Sequence, residues 1–503
     1  MKSIFSMQQP AYVNHLFSCN GLIKNQHRLL QQLQQAFNKE TMNKRFTKST
    51  NRMKHFFLMS MLLVSLFCGA QIGKRFPSER KEIKDPVTGA RLVFLTSKPH
   101  GDSKIYPTHP QWTADGQWVI FRSRLAEGEA LAVNEQTGDI VQVSEGGYSG
   151  MLNIAQKSMK LYFMRNVRTG NDTGRNAPRS LQIIEVDLQK LFADSKAGTL
   201  KGAKAYERVC GTPPPAIGAG GDMALDASEE WVYFRIGKEE AARHLAAGTK
   251  LEPNFGPRNM GAGPSGIARM NIKTGEIKHV IAVPFQVGHI QSNTWNPNEI
   301  VFCWETGGKS PQRTWTVMAD GTGLRPLYPE APYEWVTHEA VIGKDEVAIA
   351  IMGHRPVAGT NSGVGAPATG VGGANPGQET GWGPSGTREK PTGLAIVNLR
   401  TRESIIAGQT PSGSGLWHVH GSTDGRWAVG DDFSRSVYLI DRRTREMITL
   451  TAGHKTTAAD HPHPTFSPDG TKIEIQSAML SEDNRSMNIC IVYLPDSWLQ
   501  RKK

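Results

Sequence analysis

The sequence is short of cysteine: five in 503 residues exclude a disulfide-built scaffold. It is short of long apolar runs. The one conspicuous run lies within MKHFFLMSMLLVSLFCGA, residues 53–70, and is too brief for a comfortable membrane span. The body has almost no helical pattern longer than three turns, no HExxH helix and no evident carboxylate pair at the start of its strands. Nor does it carry a Lys/Arg stripe interleaved with aromatics. The formal charge of +12 is concentrated at the N-terminus. Residues 1–70 hold nine basic residues and one acidic, whereas 71–503 hold 49 basic and 45 acidic. A nucleic-acid partner is therefore not expected.

What is present at the N-terminus reads as a targeting segment. A short basic start, an apolar stretch and small residues ending at Ala70 make 53–70 a cleavable export signal. Residues 1–52, rich in Gln, Asn and Lys, precede it awkwardly and read as a dubious extension, with Met53 the true start. A cytoplasmic extension before a signal anchor is the alternative. The expected mature chain runs from Gln71 and is secreted or periplasmic, a monomer without stable membrane insertion. It retains Cys210, Cys303 and Cys490, an odd number that points to free or metal-bound thiols.

The body is a repeat. A polar or His-containing start leads to a short apolar strand, an Asp-Gly type turn and a second strand. A third strand, a turn such as EQTG or KTG and a fourth strand follow. HPQWTADGQWVIFRSR opens unit one, HIQSNTWNPNEIVFCWETG unit four, LWHVHGSTDGRWAVGDDF unit six and HPHPTFSPDGTKIEIQSA unit seven. Seven such units of about 40 to 60 residues match the blade period of an all-β, seven-bladed β-propeller. Unit seven stops after three strands, and ARLVFLT at 90–96 supplies the missing fourth, closing the ring over 71–503. A two-sheet sandwich, the competing architecture, gives no reason for the repeat. Two insertions interrupt it: KEEAARHLAAG within 236–262 reads as a surface helix, and the Gly/Pro-rich 355–390 as a flexible loop over one face.

Histidines cluster at blade starts: His109, His289, His338, His418, His420, His461 and His463. First strands of propeller blades line the central channel, so these residues converge at one mouth. That convergence offers three or four imidazoles for one divalent ion, Zn²⁺ or Mn²⁺ in preference to Ca²⁺. Cys303 reads more simply as a buried small hydrophobe than as a thiolate ligand.

GHIQSNTWNP, THEA at 337–340, the His418 to Asp424-Gly425 spacing and HPHPTFSPDG at 461–470 resemble the oligogalacturonate lyase family. The resemblance runs over 85–498 and is clearest from unit four onward. It implies a seven-bladed propeller holding a manganese-type ion. By that resemblance His338, His461 and His463 are metal ligands and His289 is the base. The family's Gln ligand falls on Ala458, which leaves His418 as a substitute ligand. Arg313 matches a family Arg and binds substrate or braces its blade, whereas the family's essential Arg finds no clean match around Gly266 to Arg269. Exported propeller lyases of ulvan also resemble this fold, with a His, a Tyr and an Arg at the channel mouth. His109, Tyr148 and Arg165 fit that set, with Arg235 an outside candidate. Trp112, Trp295 and Trp315 read as core before sugar platforms.

Together these readings give an exported polysaccharide lyase using β-elimination on an anionic uronate polymer, with ulvan placed first. Oligogalacturonate, or a non-catalytic carbohydrate-binding or interaction propeller, are the alternatives. In the lyase a base removes the C5 proton, a cation stabilises the enolate and an acid protonates the leaving O4.

Overall fold

The computed structural model describes residues 71–168, 179–254, 260–306, 310–331, 334–354, 392–410 and 415–501. The chain divides into two units, Met1–Gly69 and Ala70–Lys503, and the second carries all the described residues. The expected export signal and the 355–390 loop lie outside the described residues.

Seven antiparallel sheets follow one another along the chain, and their order within each sheet is that of a propeller blade. Alternation decides the packing. In the second strand of blade one, Trp118–Arg122, Ile120 and Trp118 face blade two while Val119 and Phe121 face blade seven. Successive side chains point to opposite faces, so one fully buried strand serves two interfaces. Each of the seven interfaces between blades has its own apolar cluster.

The turns recur with the repeat. In TADG, STDG and SPDG, between first and second strands of blades one, six and seven, an aspartate accepts from the hydroxyl two residues earlier. These are Asp115 from Thr113 at 2.6 Å, Asp424 from Ser422 at 2.7 Å and Asp469 from Ser467 at 2.5 Å. The following Gly116, Gly425 and Gly470 sit at φ near +70°, which a side chain would strain.

Blade seven closes as the sequence implies. Arg91–Phe94 pairs with Asn488–Tyr493, Leu92 opposite Val492, so that the two ends of the propeller share one sheet. Two further strands carry no signal in the repeat: Lys81–Lys84 extends blade seven and Arg75–Phe76 extends blade one. Radial repetition leaves only short, protected edges, which limits the aggregation hazard of an open array. The expected surface helix is present as Lys238–His244. A longer helix, Leu188–Ala197, packs Leu188 and Leu191 into the cluster between blades one and two. No helix among the described residues is long and apolar enough to cross a membrane.

Candidate functional site

The inner strands start at one mouth of the channel, and four of the predicted histidines meet there. The His418 ring centroid lies 3.9 Å from His463, 4.4 Å from His338 and 5.3 Å from His461. His289 stands 6.3 Å from His338. In their midst is Tyr106, 5.1 Å from His289, 5.2 Å from His463 and 5.9 Å from His418. Trp417 and Phe433 wall one side, Trp417 lying edge-on to His338 at 4.3 Å. His420, although two residues from His418, does not join this crown; it turns to Phe466 and Lys104, and burial lowers its pKa to about 3.

Backbone irregularities aim these side chains. Register shifts between Gly288 and Gln291 and between Val336 and Glu339 interrupt the inner strands of blades four and five. Such bulges re-aim side chains that a regular strand would send to opposite faces. His289 and His463 have φ of +47° and +53°, left-handed values that cost about 1–2 kcal/mol for a residue with a Cβ. Each strained amide donates to a carboxylate: His289 N to Asp222 at 2.6 Å and His463 N to Asp431 at 3.2 Å.

Asp431 organises the metal-type half of the site. Fully buried, it also accepts the amide of His418 at 2.7 Å and stands 3.1 Å from His418 Nδ1 and 3.7 Å from His461 Nδ1. Donor atoms of His418, Asp431 and His461 all lie within 4.8 Å of one another. His338 Nδ1 and His461 Nδ1 are buried without a hydrogen-bond partner. Buried polar nitrogens are otherwise almost always satisfied, and a coordinated cation would satisfy these. Burial, reinforced by the neighbouring imidazoles and Arg313, holds the His338 pKa well below its usual value. Burial also lowers His463, to about 3, and His418. Neutral imidazoles beside an ionised carboxylate are the donor set a divalent ion requires. Both ring nitrogens of His463 have partners, with Gln476 at 3.3 Å from Nδ1 and Asp460 at 3.5 Å from Nε2.

The other half is a charged array around His289. Its Nδ1 lies 2.9 Å from Glu339 Oε1, whose second oxygen accepts Arg313 Nε at 2.8 Å. In the neutral form of His289, Glu339 as acceptor keeps the proton on Nδ1 and leaves the lone pair on Nε2. Nε2 faces Glu305 at 3.4 Å. Burial disfavours charge on His289, but Glu339 outweighs it and the pKa rises. Burial pushes the Tyr106 hydroxyl well above its ordinary value, so it stays protonated.

Three sequence candidates stand apart from this crown. His109 is near Asp222 and His289, yet Nε2 bonds Met223 O of blade three at 2.8 Å and Nδ1 bonds Thr108 at 2.8 Å. Both ring nitrogens are engaged, which makes it a brace between inner strands. The Tyr148 hydroxyl accepts from Arg122 at 3.0 Å while its ring packs near Phe163. Arg165 grips Glu207 through two bonds, 2.8 and 2.9 Å, and donates to Gly147 O. These partners belong to blades one and two. Arg313 braces the site through Glu339, one of the two roles expected of it; Arg235 instead reaches Val287 O at 3.3 Å. Trp112 is core, with Nε1 on Glu135, whereas Trp295 is exposed.

The sequence showed no evident carboxylate pair at the channel mouth, and the structure corrects this: Asp222, Glu305, Glu339, Asp431 and Asp460 all reach it. Glu339 was within sight, adjacent to His338 in THEA, and Asp431 ends the strand beside His418. Tyr106 carries no periodic signal.

The fold and site thus define a seven-bladed propeller with a histidine and carboxylate crown at one mouth of its axis. No known family profile matches the chain. Among curated proteins it is similar to an oligogalacturonate lyase of Dickeya dadantii (strain 3937), 23% identical over 279 residues. The match covers 53% of this chain and 62% of that protein's length. Among solved structures, an oligogalacturonate lyase in complex with manganese aligns with a TM-score of 0.61 at 17% identity, covering 86% of this chain and all of the other. An oligogalacturonate lyase from Vibrio parahaemolyticus aligns with a TM-score of 0.60, also at 17% identity, over 85% of this chain. At that identity the likeness establishes the fold.

Proposed function

We propose that the protein is a lyase cleaving uronate-containing glycans by β-elimination. One observation carries this reading: His289, held by Glu339, lies beside a cluster of imidazole and carboxylate donors of the kind that bind a divalent ion. His338, His418, Asp431 and His461 would hold one divalent ion, manganese or zinc, with His463 at the cluster's edge. The ion would supply positive charge to the substrate carboxylate and acidify the C5 proton.

The chain's own groups divide the remaining work. His289 Nε2 takes the C5 proton as the C4–C5 double bond forms and the C4–O bond breaks. Glu339 holds the tautomer and stabilises the imidazolium, and Arg313 fixes Glu339 from its other oxygen. Tyr106, protonated and among the histidines, gives the leaving oxygen its proton. The sequence-derived set His109, Tyr148 and Arg165 has a supporting place in this reading, as a brace and a blade clamp.

The relatives' names favour oligogalacturonate as substrate at least as well as ulvan, the polymer the sequence placed first. An export signal over 53–70, a mature chain from Gln71 and a monomeric propeller belong to the same reading. Ultraviolet absorbance of the new conjugated double bond tests it, on oligogalacturonate, polygalacturonate and ulvan with Mn²⁺ or Zn²⁺ supplied. Formation of that chromophore, lost in His289→Ala, is expected. Silence on every polyuronate would reject the lyase and leave a binding propeller.

A further inference from the structure

A second set of donors converges at the mouth, on blade four. Cys303 lies near the end of the second strand, Glu299–Trp304, and Glu305 comes two residues later, on the same face. His289 comes from the adjacent inner strand. Glu305 Oε2 lies 3.4 Å from His289 Nε2 and 3.8 Å from Cys303 Sγ, and the three donors lie within 4.8 Å of one another.

These separations are close to those of a coordination shell. Ligands at Zn–N of about 2.0 Å, Zn–O of about 2.0 Å and Zn–S of about 2.3 Å, set tetrahedrally, stand about 3.3 Å (N to O) and 3.5 Å (S to O) apart. The backbone is cleared for this arrangement. Gly288 faces Cys303 across the ladder, and a Cβ there would meet Glu305 Cβ at 2.7 Å. His289 and Cys303 both face the Glu305 carboxylate, and a divalent ion between them would give all three donors one shared partner.

We propose that His289, Cys303 and Glu305 form a second divalent-cation site, distinct from the His338–His418–Asp431–His461 cluster and preferring a thiophilic ion such as Zn²⁺. Nitrogen, sulfur and carboxylate ligands leave a fourth tetrahedral position open to water, and binding releases the thiol proton to solvent. The consequence for activity rests on the lyase reading: an ion on His289 Nε2 takes the lone pair needed for proton abstraction, so excess Zn²⁺ inhibits.

Titration of the metal-free full chain with Co²⁺ alone tests the site. Two equivalents are expected, one bringing a thiolate-to-cobalt charge-transfer band. Cys303→Ser removes the band and one equivalent. His461→Ala leaves the band and removes the other equivalent. Glu305→Gln, which keeps the thiol, weakens the band-forming ion by more than about tenfold, at least the loss known for outer-shell partners. Circular dichroism confirms that each variant folds. Saturation at one ion without a thiolate band, or a band that survives Cys303→Ser, overturns the proposal. The band in a protein inert on every uronate would keep this site and reject the lyase. Uronate cleavage without the band would do the reverse.

Discussion

Glu339 Oε1 stands 2.9 Å from His289 Nδ1, joining the inner strands of blades four and five through one buried pair. Glu339 is fully buried on its side chain, and Arg313 holds its other oxygen. Elimination activity should therefore depend on all three residues, unequally. His289→Ala removes the proton acceptor and should lower kcat by about 10² to 10⁴. Glu339→Gln keeps the shape and an acceptor for Nδ1–H but loses the charge, and should cost about 10- to 100-fold. Initial rates on oligogalacturonate measure both. Equal rates in Glu339→Gln and the parent would remove Glu339 from the mechanism.

Metal removal should loosen blades five to seven. Asp431 accepts two backbone amides, those of His418 and His463, from two blades. Asp431→Ala leaves both buried donors unsatisfied, at about 1–3 kcal/mol each, and should lower Tm by several degrees even without metal. Asp431→Asn retains an acceptor and should fold, but bind Mn²⁺ more weakly. In the parent protein chelation should lower Tm, because an ion at a hundredfold its Kd stabilises by about 2.7 kcal/mol. Thermal melts with and without chelator give the comparison, and an unchanged Tm on metal removal would count against the site.

Arg165 and Tyr148 offer a test of the sequence reading against the structure. The Arg165–Glu207 pair is largely buried, at 13% and 11% side-chain exposure, and its partners lie in blade two. Arg165→Met should leave a buried Glu207 unpaired and lower Tm while kcat changes by less than about threefold. A selective loss of kcat with Tm intact would return Arg165 to the catalytic set.

Asp102 predicts how stability responds to pH. Burial raises its pKa to about 6, against weaker opposing hydrogen bonds from Ser123 and Thr96. A carboxyl raised in the folded state binds its proton there more tightly than in the unfolded chain. Its contribution is most favourable below about pH 4 and falls as pH rises to about 6. Asp102→Asn should thus gain roughly 3 kcal/mol at pH 7 and little at pH 4, seen in denaturant midpoints at the two pH values. A gain independent of pH would refute this assignment.

Much of this is legible in particular residues. TADG, STDG and SPDG announce the same hydroxyl-to-aspartate turn, and each has it. ARLVFLT at 90–96 stands out as the missing strand because unit seven lacks one, and Arg91–Phe94 fills that place. The meeting of His338, His418, His461 and His463 follows from their equivalent positions in successive units. Elsewhere, position in the repeat is a poor guide. His109 holds the equivalent place in blade one but bonds Met223 O and Thr108. His420 lies only two residues from His418 yet turns away, because His418 precedes the regular pairing that begins at Val419.

The sequence by itself determined the number of blades, the closing strand and the blade starts from which the histidines come. Those features arise from local alternation and turn chemistry, which act over a few residues. Only the tertiary structure decided which carboxylate meets which imidazole. Glu339 and His289 are fifty residues apart, as are none of the turn partners, and two bulges and a left-handed histidine set their approach. Such contacts depend on the angle between neighbouring blades, and that angle is fixed by packing across the interfaces, beyond what spacing along one chain encodes.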